Sequence, residues 1–156
     1  MKIHVLAVGQ RLPDWAEAAC ADYLKRFPPT QRVVLQTVKA EPRTDTRGAE
    51  ACMAAEAERL RAALPKSAHV VALDERGQRC TTEQIAQRWQ RWQHLGADVA
   101  LLIGGPDGLN PALREQAHER LRLSDLTLPH ALARVVLLEQ LYRAWSIVHG
   151  HPYHRA

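Results

Sequence analysis

Residues 99–109 read Val99-Ala100-Leu101-Leu102-Ile103-Gly104-Gly105-Pro106-Asp107-Gly108-Leu109, five aliphatic residues followed directly by a glycine-rich turn. A short aliphatic run of this kind is typical of a strand buried on both faces of a parallel sheet. Glycines at its end let the backbone bend sharply and let a ligand approach the main chain closely. Ligands of open parallel sheets bind beyond the carboxyl ends of the strands, so the turn is a candidate binding site. Its spacing matches neither a dinucleotide fingerprint nor a nucleoside-triphosphate loop, and a plain turn explains it equally well.

Three other short aliphatic runs are predicted strands: Ile3–Val8, Val33–Val38 and His69–Leu73. Stretches with helical periodicity separate the strands. The first helix is predicted between Pro13 and Pro28-Pro29, and a Thr81/Gln84 capping box and an Asn110-Pro111 start mark two more helices. The alternation predicts an α/β fold, a mostly parallel sheet with helices on both faces, in one domain over residues 1–156.

The composition is that of a globular protein. The chain has 156 residues, of which 46% are hydrophobic and 24% charged, and its net charge is +4. These values argue against a disordered chain, and no apolar run is long enough to span a membrane. The basic residues are 17 Arg and 4 Lys, which fits either phosphate recognition or a GC-rich genome. Three scattered cysteines favour neither a metal site nor disulfides, so we expect a cytoplasmic protein without a metal.

The last predicted helix begins near Pro129 and ends at about His149. It is apolar almost all round, with Leu132, Val136, Leu141 and Ile147 on different sides. A helix of this kind must be buried on more than one side. The sheet covers one side, and a second copy of the chain can cover the other, which predicts a homodimer. The alternative is a helix buried centrally within one monomer.

Two segments near the C-terminus fit either a ligand site or plain structure. Arg122–His130 precedes the last helix and fits a short strand with a helix cap, or a loop that offers backbone groups to a ligand. The tail, residues 149–156, contains three histidines, Tyr153 and Arg155. No carboxylate or thiolate accompanies them to complete a zinc site, and chain ends are often disordered. Glu139 and Arg143 lie one helical turn apart and are placed to pair.

Four blocks taken in order resemble one family. They are residues 102–109 (LIGGPDGL), 123–130 (LSDLTLPH), 139–147 (EQLYRAWSI) and 151–155 (HPYHR). Together they resemble the SPOUT-class ribosomal RNA large subunit methyltransferase H family, and the resemblance covers essentially the whole chain. It implies a sheet whose C-terminal part forms a trefoil knot, a homodimer, and methylation of N3 of a pseudouridine in 23S ribosomal RNA on assembled ribosomes.

The resemblance also implies a set of site residues. S-adenosylmethionine is expected to bind, in a bent form, at Leu73, Gly104, Gly105, Leu123, Ser124, Asp125, Leu126, Thr127 and Leu128. Asp125 adds a charge to that loop, and we expect its side chain to face solvent. Each active site is expected to be completed by the partner's C-terminal tail. His154 is the candidate for proton transfer, Tyr153 for positioning the base, and Arg143 and Arg155 for phosphate or the developing oxyanion, with His130 beside the cofactor loop and the substrate.

Two other functions fit the same residues. One is a knotted methyltransferase that acts on transfer RNA instead of ribosomes. The other is a ribosome-binding factor without enzymatic activity, against which the intact glycines and the tail argue. A net charge of +4 is small for sequence-independent binding of RNA, so we expect a structured particle as the substrate.

Overall fold

The computed structural model describes residues 1–155. Its elements follow one another as β1 (Lys2–Val8), α1 (Asp14–Arg26), β2 (Arg32–Val38), α2 (Ala49–Ala63), β3 (His69–Arg79), α3 (Thr82–Gln93), β4 (Val99–Ile103), α4 (Pro111–Gln116), β5 (Glu119–Arg122), α5 (His130–His149) and a 3₁₀ turn (Pro152–His154). The predicted alternation of strands and helices is therefore confirmed.

The strands form one sheet in the order β2-β1-β4-β3-β5, and every pairing in it is parallel. The strand β4 lies at the centre, between β1 and β3, and all five of its residues are buried. Its carboxyl end therefore lies at the same edge of the sheet as the carboxyl end of β1 and the point, after Ala72, at which β3 stops pairing with β4. The trefoil knot stays a prediction.

Side chains alternate between two cores, one on each face of the sheet. On β1, Ile3 and Val5 contribute to the core beneath α1, α3 and α5, whereas Leu6 and Val8 contribute to the core beneath α2 and α4. The first core contains the stacked rings of Phe27 and Trp89, whose centroids lie 6.3 Å apart. Helices therefore cover both faces, as predicted.

The predicted helix starts are confirmed by their hydrogen bonds. The Thr81 hydroxyl accepts from the backbone N–H of Gln84 at 3.2 Å, and the Gln84 side chain accepts from the Thr81 backbone at 2.8 Å. The Asn110 side chain accepts from the backbone N–H groups of Ala112 and Leu113. These contacts satisfy N–H groups that otherwise have no partner in the first turn of a helix.

The polar edge of the sheet differs from the prediction. The aliphatic run predicts that β3 ends at Leu73, but the strand continues to Arg79 through a bulge between Leu73 and Gln78, where it pairs with β5. The strand β5 was not predicted. It ends at Arg122, where segment 122–130 begins, and this segment forms no strand beyond Arg122, although a short strand was one of its two interpretations. Both stretches are polar and partly exposed, so hydrophobic periodicity gives no signal there. Among residues 1–155, no helix is long and apolar enough to cross a membrane.

Candidate functional site

The glycine-rich turn after β4 depends on close backbone packing. The Gly108 N–H donates to the Gly105 carbonyl at 3.0 Å, and Pro106 lies at the second position of this turn. A Cβ on Gly104 would lie 2.4 Å from the carbonyl carbon of Gly108 and 2.6 Å from the nitrogen of Leu109. The turn therefore folds back on itself so tightly that any side chain at position 104 displaces main chain.

A cavity of about 300 Å³ opens beside this turn, beyond the carboxyl end of β4. The turn forms one wall, and the irregular segment between β5 and α5 forms another. The remaining lining comes from residues 73–75, in the middle of β3 where it stops pairing with β4, and from the first turn of α5. The lining residues are Leu73, Asp74, Glu75, Ile103, Gly104, Gly105, Pro106, Leu123, Ser124, Leu126, Thr127, Leu128, Pro129, His130 and Ala133. The volume is at the lower end of the range for small-molecule sites.

All predicted cofactor residues except Asp125 line this cavity. The carboxylate of Asp125 instead accepts hydrogen bonds from Arg122 at 3.1 Å and from Arg79 at 3.0 Å, and its side chain is 58% exposed. The hydrogen bond from Arg122, with further help from Arg79, lowers the pKa of Asp125. Its side chain faces solvent, as expected, and Asp125 is absent from the lining of the cavity.

A buried arginine fixes the start of α5 against the sheet. Arg134 is fully buried, and its Nη2 donates to the carbonyls of Val8 at 2.7 Å and Gly9 at 2.8 Å. Burial lowers the pKa of Arg134 because it disfavours the charged guanidinium. These bonds hold the first turns of α5, which carry His130 and Ala133 into the cavity, at the carboxyl end of β1.

The C-terminal tail up to Arg155 packs against other parts of its own chain. Pro152–His154 forms a 3₁₀ turn, and the Tyr153 hydroxyl lies 3.2 Å from both the Glu139 carboxylate and the Tyr23 hydroxyl. Burial, together with these two neighbours, raises the pKa of Tyr153. The expected Glu139–Arg143 pair is confirmed at 2.7 Å, and this bond raises the pKa of Arg143. The tail thus packs onto α5 of its own chain. Ala156 lies outside the described residues.

The two groups of predicted site residues lie at different levels along α5. His130 begins the helix at the cavity, whereas the tail folds back along the helix and places the Tyr153 hydroxyl beside Glu139. At 1.5 Å per residue, Glu139 lies about 14 Å and Arg143 about 20 Å from His130 along the helix axis, and neither Arg143 nor any tail residue up to Arg155 lines the cavity. A single protomer therefore brings the cofactor residues together but keeps the candidate catalytic residues away from them.

Two acidic residues of the cavity were absent from the sequence-based prediction. Asp74 and Glu75 line it directly after Leu73. Asp74 accepts hydrogen bonds from the backbone N–H of Arg76 at 3.1 Å and from Arg114 at 3.4 Å. Their position at the end of a predicted strand was a usable signal, because functional side chains collect at the carboxyl ends of parallel strands.

Comparison with known proteins agrees with this architecture. Residues 1–154 match the family model described as a predicted SPOUT methyltransferase. The chain belongs to the SPOUT methyltransferase family. Among its SPOUT relatives, the protein named ribosomal RNA large subunit methyltransferase H from Methylibium petroleiphilum is 64% identical over 155 residues, 99% of either chain. The protein of the same name from Verminephrobacter eiseniae is 62% identical over the same share.

Solved structures with low sequence identity share the fold. A probable methylase family protein from Haemophilus influenzae has a TM-score of 0.59 at 13% identity, covering 99% of this chain and 70% of the other. A probable methyltransferase from Bordetella pertussis has a TM-score of 0.58 at 19% identity, covering 92% of this chain and 93% of the other. At these identities the likeness extends to the SPOUT fold alone.

Proposed function

We propose that this SPOUT protein methylates ribosomal RNA of the large subunit with S-adenosylmethionine, and that the target atom is N3 of a pseudouridine. The observation that carries the proposal is full-length identity of 62–64% to proteins named ribosomal RNA large subunit methyltransferase H. The cavity at the carboxyl end of β4 supports it independently, because its glycine turn gives a ligand access to main chain.

The residues present fit S-adenosylmethionine. Gly104 and Gly105 leave a wall of bare backbone, and the aliphatic side chains of Leu73, Leu123 and Leu128 provide an apolar lining. The carboxylates of Asp74 and Glu75 suit the hydroxyl and ammonium groups of such a cofactor. When bound, S-adenosylmethionine supplies a methyl group on a sulfonium sulfur, which is displaced in line by a nucleophile. The protein mainly provides alignment for that displacement.

An anionic substrate fits the surface beside this cavity. A second cavity of about 320 Å³ shares Pro106 and His130 with the first, and Arg11 and Lys39 also line it. Its lining contains no carboxylate, and among residues 1–155 neither Arg11 nor Lys39 has an ion-pair partner. Unpaired cations beside the reacting centre favour a polyanion such as RNA.

The active unit that we propose is a homodimer in which each cavity receives the partner's tail. Leu132 and Val136 of α5 are only half-buried, and Leu126 on the cavity wall is 76% exposed. Burial of these apolar side chains against a second copy of the chain stabilises the dimer. The tail packs about 14 to 20 Å along α5 from His130 and does not line its own cavity, so in this arrangement the partner's tail acts there.

The tail residues have separate roles in this proposal. The imide N3–H of pseudouridine is a poor nucleophile until its proton leaves. His154 Nδ1 lies 2.5 Å from the carbonyl of His151, which only accepts, so Nδ1 carries a proton and Nε2 is free to take the one from N3. Tyr153 positions the base. Arg143 and Arg155 stabilise phosphate or the developing oxyanion, and His130 contacts the substrate beside the cofactor loop.

Transfer of a labelled methyl group tests the proposed function. The protein is incubated with methyl-labelled S-adenosylmethionine and with assembled ribosomes, free large subunits or transfer RNA as acceptor. We expect label in 23S ribosomal RNA of ribosomes, at N3 of a pseudouridine after nuclease digestion and mass analysis. Label in transfer RNA alone contradicts the proposed substrate. Ribosome binding without any transfer contradicts the proposed enzyme.

Replacing His154 by alanine is expected to lower turnover about 100-fold near neutral pH, because loss of a positioned base typically costs that much. Cofactor affinity stays unchanged, and residual activity rises with pH as the imide loses its proton unaided. His149→Ala is the matched control, since this exposed histidine also donates to a carbonyl, that of Trp145, but lies outside the tail's 3₁₀ turn. Near wild-type turnover of the His154 variant from about pH 6 to about pH 9 would rule out the proton-transfer role.

A further inference from the structure

The segment between β2 and α2, residues 39–48, contains an arginine that forms ion pairs with both α2 and the glycine-rich turn. Arg43 Nη1 lies 2.5 Å from Glu56 Oε2 on α2, and Arg43 Nη2 lies 2.8 Å from Asp107 Oδ2 in the glycine-rich turn. Arg43 Nε adds a second bond to Asp107 at 3.1 Å, and Nη1 also donates to the Glu41 carbonyl at 2.8 Å. The guanidinium thus spans from α2 to the wall of the cofactor cavity.

The partner carboxylate on α2 is buried against that same turn. Glu56 is 2% exposed, and its Oε2 also accepts from the Glu41 N–H at 3.0 Å. A Cβ on Gly105 would lie 3.4 and 3.5 Å from its two oxygens. The hydrogen bond from Arg43 therefore neutralises a buried charge that lies against the main chain of Gly105, and it raises the pKa of Arg43. Removal of the guanidinium leaves that charge without compensation.

We propose that Arg43 is a positioning residue for the cofactor cavity, holding the Gly104–Gly108 turn in place through Glu56 and Asp107. The inference rests on the proposed binding of S-adenosylmethionine in that cavity. Within the turn itself, the backbone bond from Gly108 to Gly105 fixes only the reversal of the chain. Arg43 fixes where the turn lies relative to α2. A wall held in its binding position before the ligand arrives raises affinity, because less order has to be imposed on binding.

The test compares two arginines of the same neighbourhood. Arg43→Met keeps an unbranched apolar side chain and removes both ion pairs. Arg59→Met is the matched control, because Arg59 binds the Lys39 carbonyl at 2.9 Å and the Glu41 carboxylate at 2.5 Å, which anchors the same segment without reaching the turn. We expect calorimetric titration to give an S-adenosylmethionine Kd about tenfold higher for Arg43→Met and unchanged for Arg59→Met. In methyl transfer to ribosomes, KM for the cofactor rises while kcat at saturation changes little.

A second variant tests the contact between Arg43 and Asp107 of the turn by itself. Asp107→Asn weakens the contact between Arg43 and the turn and leaves the Glu56 pair intact, so the fold is preserved even if Arg43→Met proves unstable. Its Kd is expected to rise as well, and the double variant is expected to bind no more weakly than Arg43→Met alone. Arg43→Lys, which keeps the charge but not the fork of donors, is expected to restore part of the affinity.

Each outcome decides the inference. Equal Kd values for the wild type, Arg43→Met and Asp107→Asn overturn it, including the case in which only the melting temperature falls. An equal rise of Kd in Arg43→Met and Arg59→Met also overturns it, since the effect then belongs to the whole segment. A wild-type protein that binds no S-adenosylmethionine, either free or on ribosomes, overturns the proposed function first and this inference with it.

Discussion

Replacing Gly104 by alanine is expected to weaken S-adenosylmethionine binding about 100-fold, roughly 3 kcal/mol, the upper part of the range for an overpacked site. The added Cβ would lie 2.4 Å from the Gly108 carbonyl carbon, and its three nearest neighbours are all backbone atoms. No flexible side chain is there to move aside. The turn itself must shift, and with it the wall of the cavity. Calorimetric titration of the purified protein with the cofactor measures the effect.

The matched control for this variant is Gly48→Ala. Gly48 precedes α2 and has an ordinary φ of −73°, and a Cβ added there would meet no other atom within 4 Å. We expect this control to bind the cofactor like the wild type. Cofactor affinity within about twofold of wild type in Gly104→Ala would contradict the placement of the cofactor against this turn.

Mixed dimers are expected to regain activity that neither parent variant has. One chain carries Gly104→Ala and an intact tail, and the other carries an intact cavity with His154→Ala and Arg155→Ala. If the tail acts on the partner's cavity, a mixed dimer contains one site in which both parts are intact. Random pairing makes half of the dimers mixed, so total activity should reach about a quarter of wild type.

Two affinity tags on the two chains allow the mixed dimers to be purified, and methyl transfer to ribosomes measures their turnover. Each variant paired with itself is the control and should retain only about 1% of wild-type activity, provided that the cofactor concentration is kept near the wild-type Kd so that the Gly104→Ala cavity stays mostly empty. A tail that served its own cavity would leave every combination inactive, because each chain then lacks one of the two parts. Absence of recovered activity in purified mixed dimers would therefore reject the exchanged-tail arrangement.

Much of the fold was predictable because its signals are local. The five buried residues of β4 and the glycines after them are directly recognisable as a buried strand and a turn. The capping box at Thr81 and the Asn110-Pro111 start fix helix ends through contacts within three residues. The polar end of β3 and strand β5 escaped prediction because pairing between strands far apart in sequence, not hydrophobic periodicity, makes them strands.

The residues of the candidate site also fall into a group that the sequence predicted and a group that it did not. The cavity wall was predictable from residues 104–105 and 123–128, apart from the Asp125 side chain, because the family resemblance extends over those blocks. Asp74 and Glu75 were missed although they follow a predicted strand. Arg43 gave no signal at all, since an arginine in a polar loop has no pattern that names its partners.

By itself, the sequence determined an α/β protein with a parallel sheet, a glycine turn after its central strand, and membership of the SPOUT methyltransferases. Only the tertiary structure decided which charges meet, as when Arg43 joins Asp107, 64 positions away, and Arg134 reaches the Val8 carbonyl across 126. It also decided that the tail packs back along α5 without lining the cavity of its own chain. The physical reason is that element type follows from side chains a few residues apart, whereas partners of buried charges and distances between sites are set when remote segments pack.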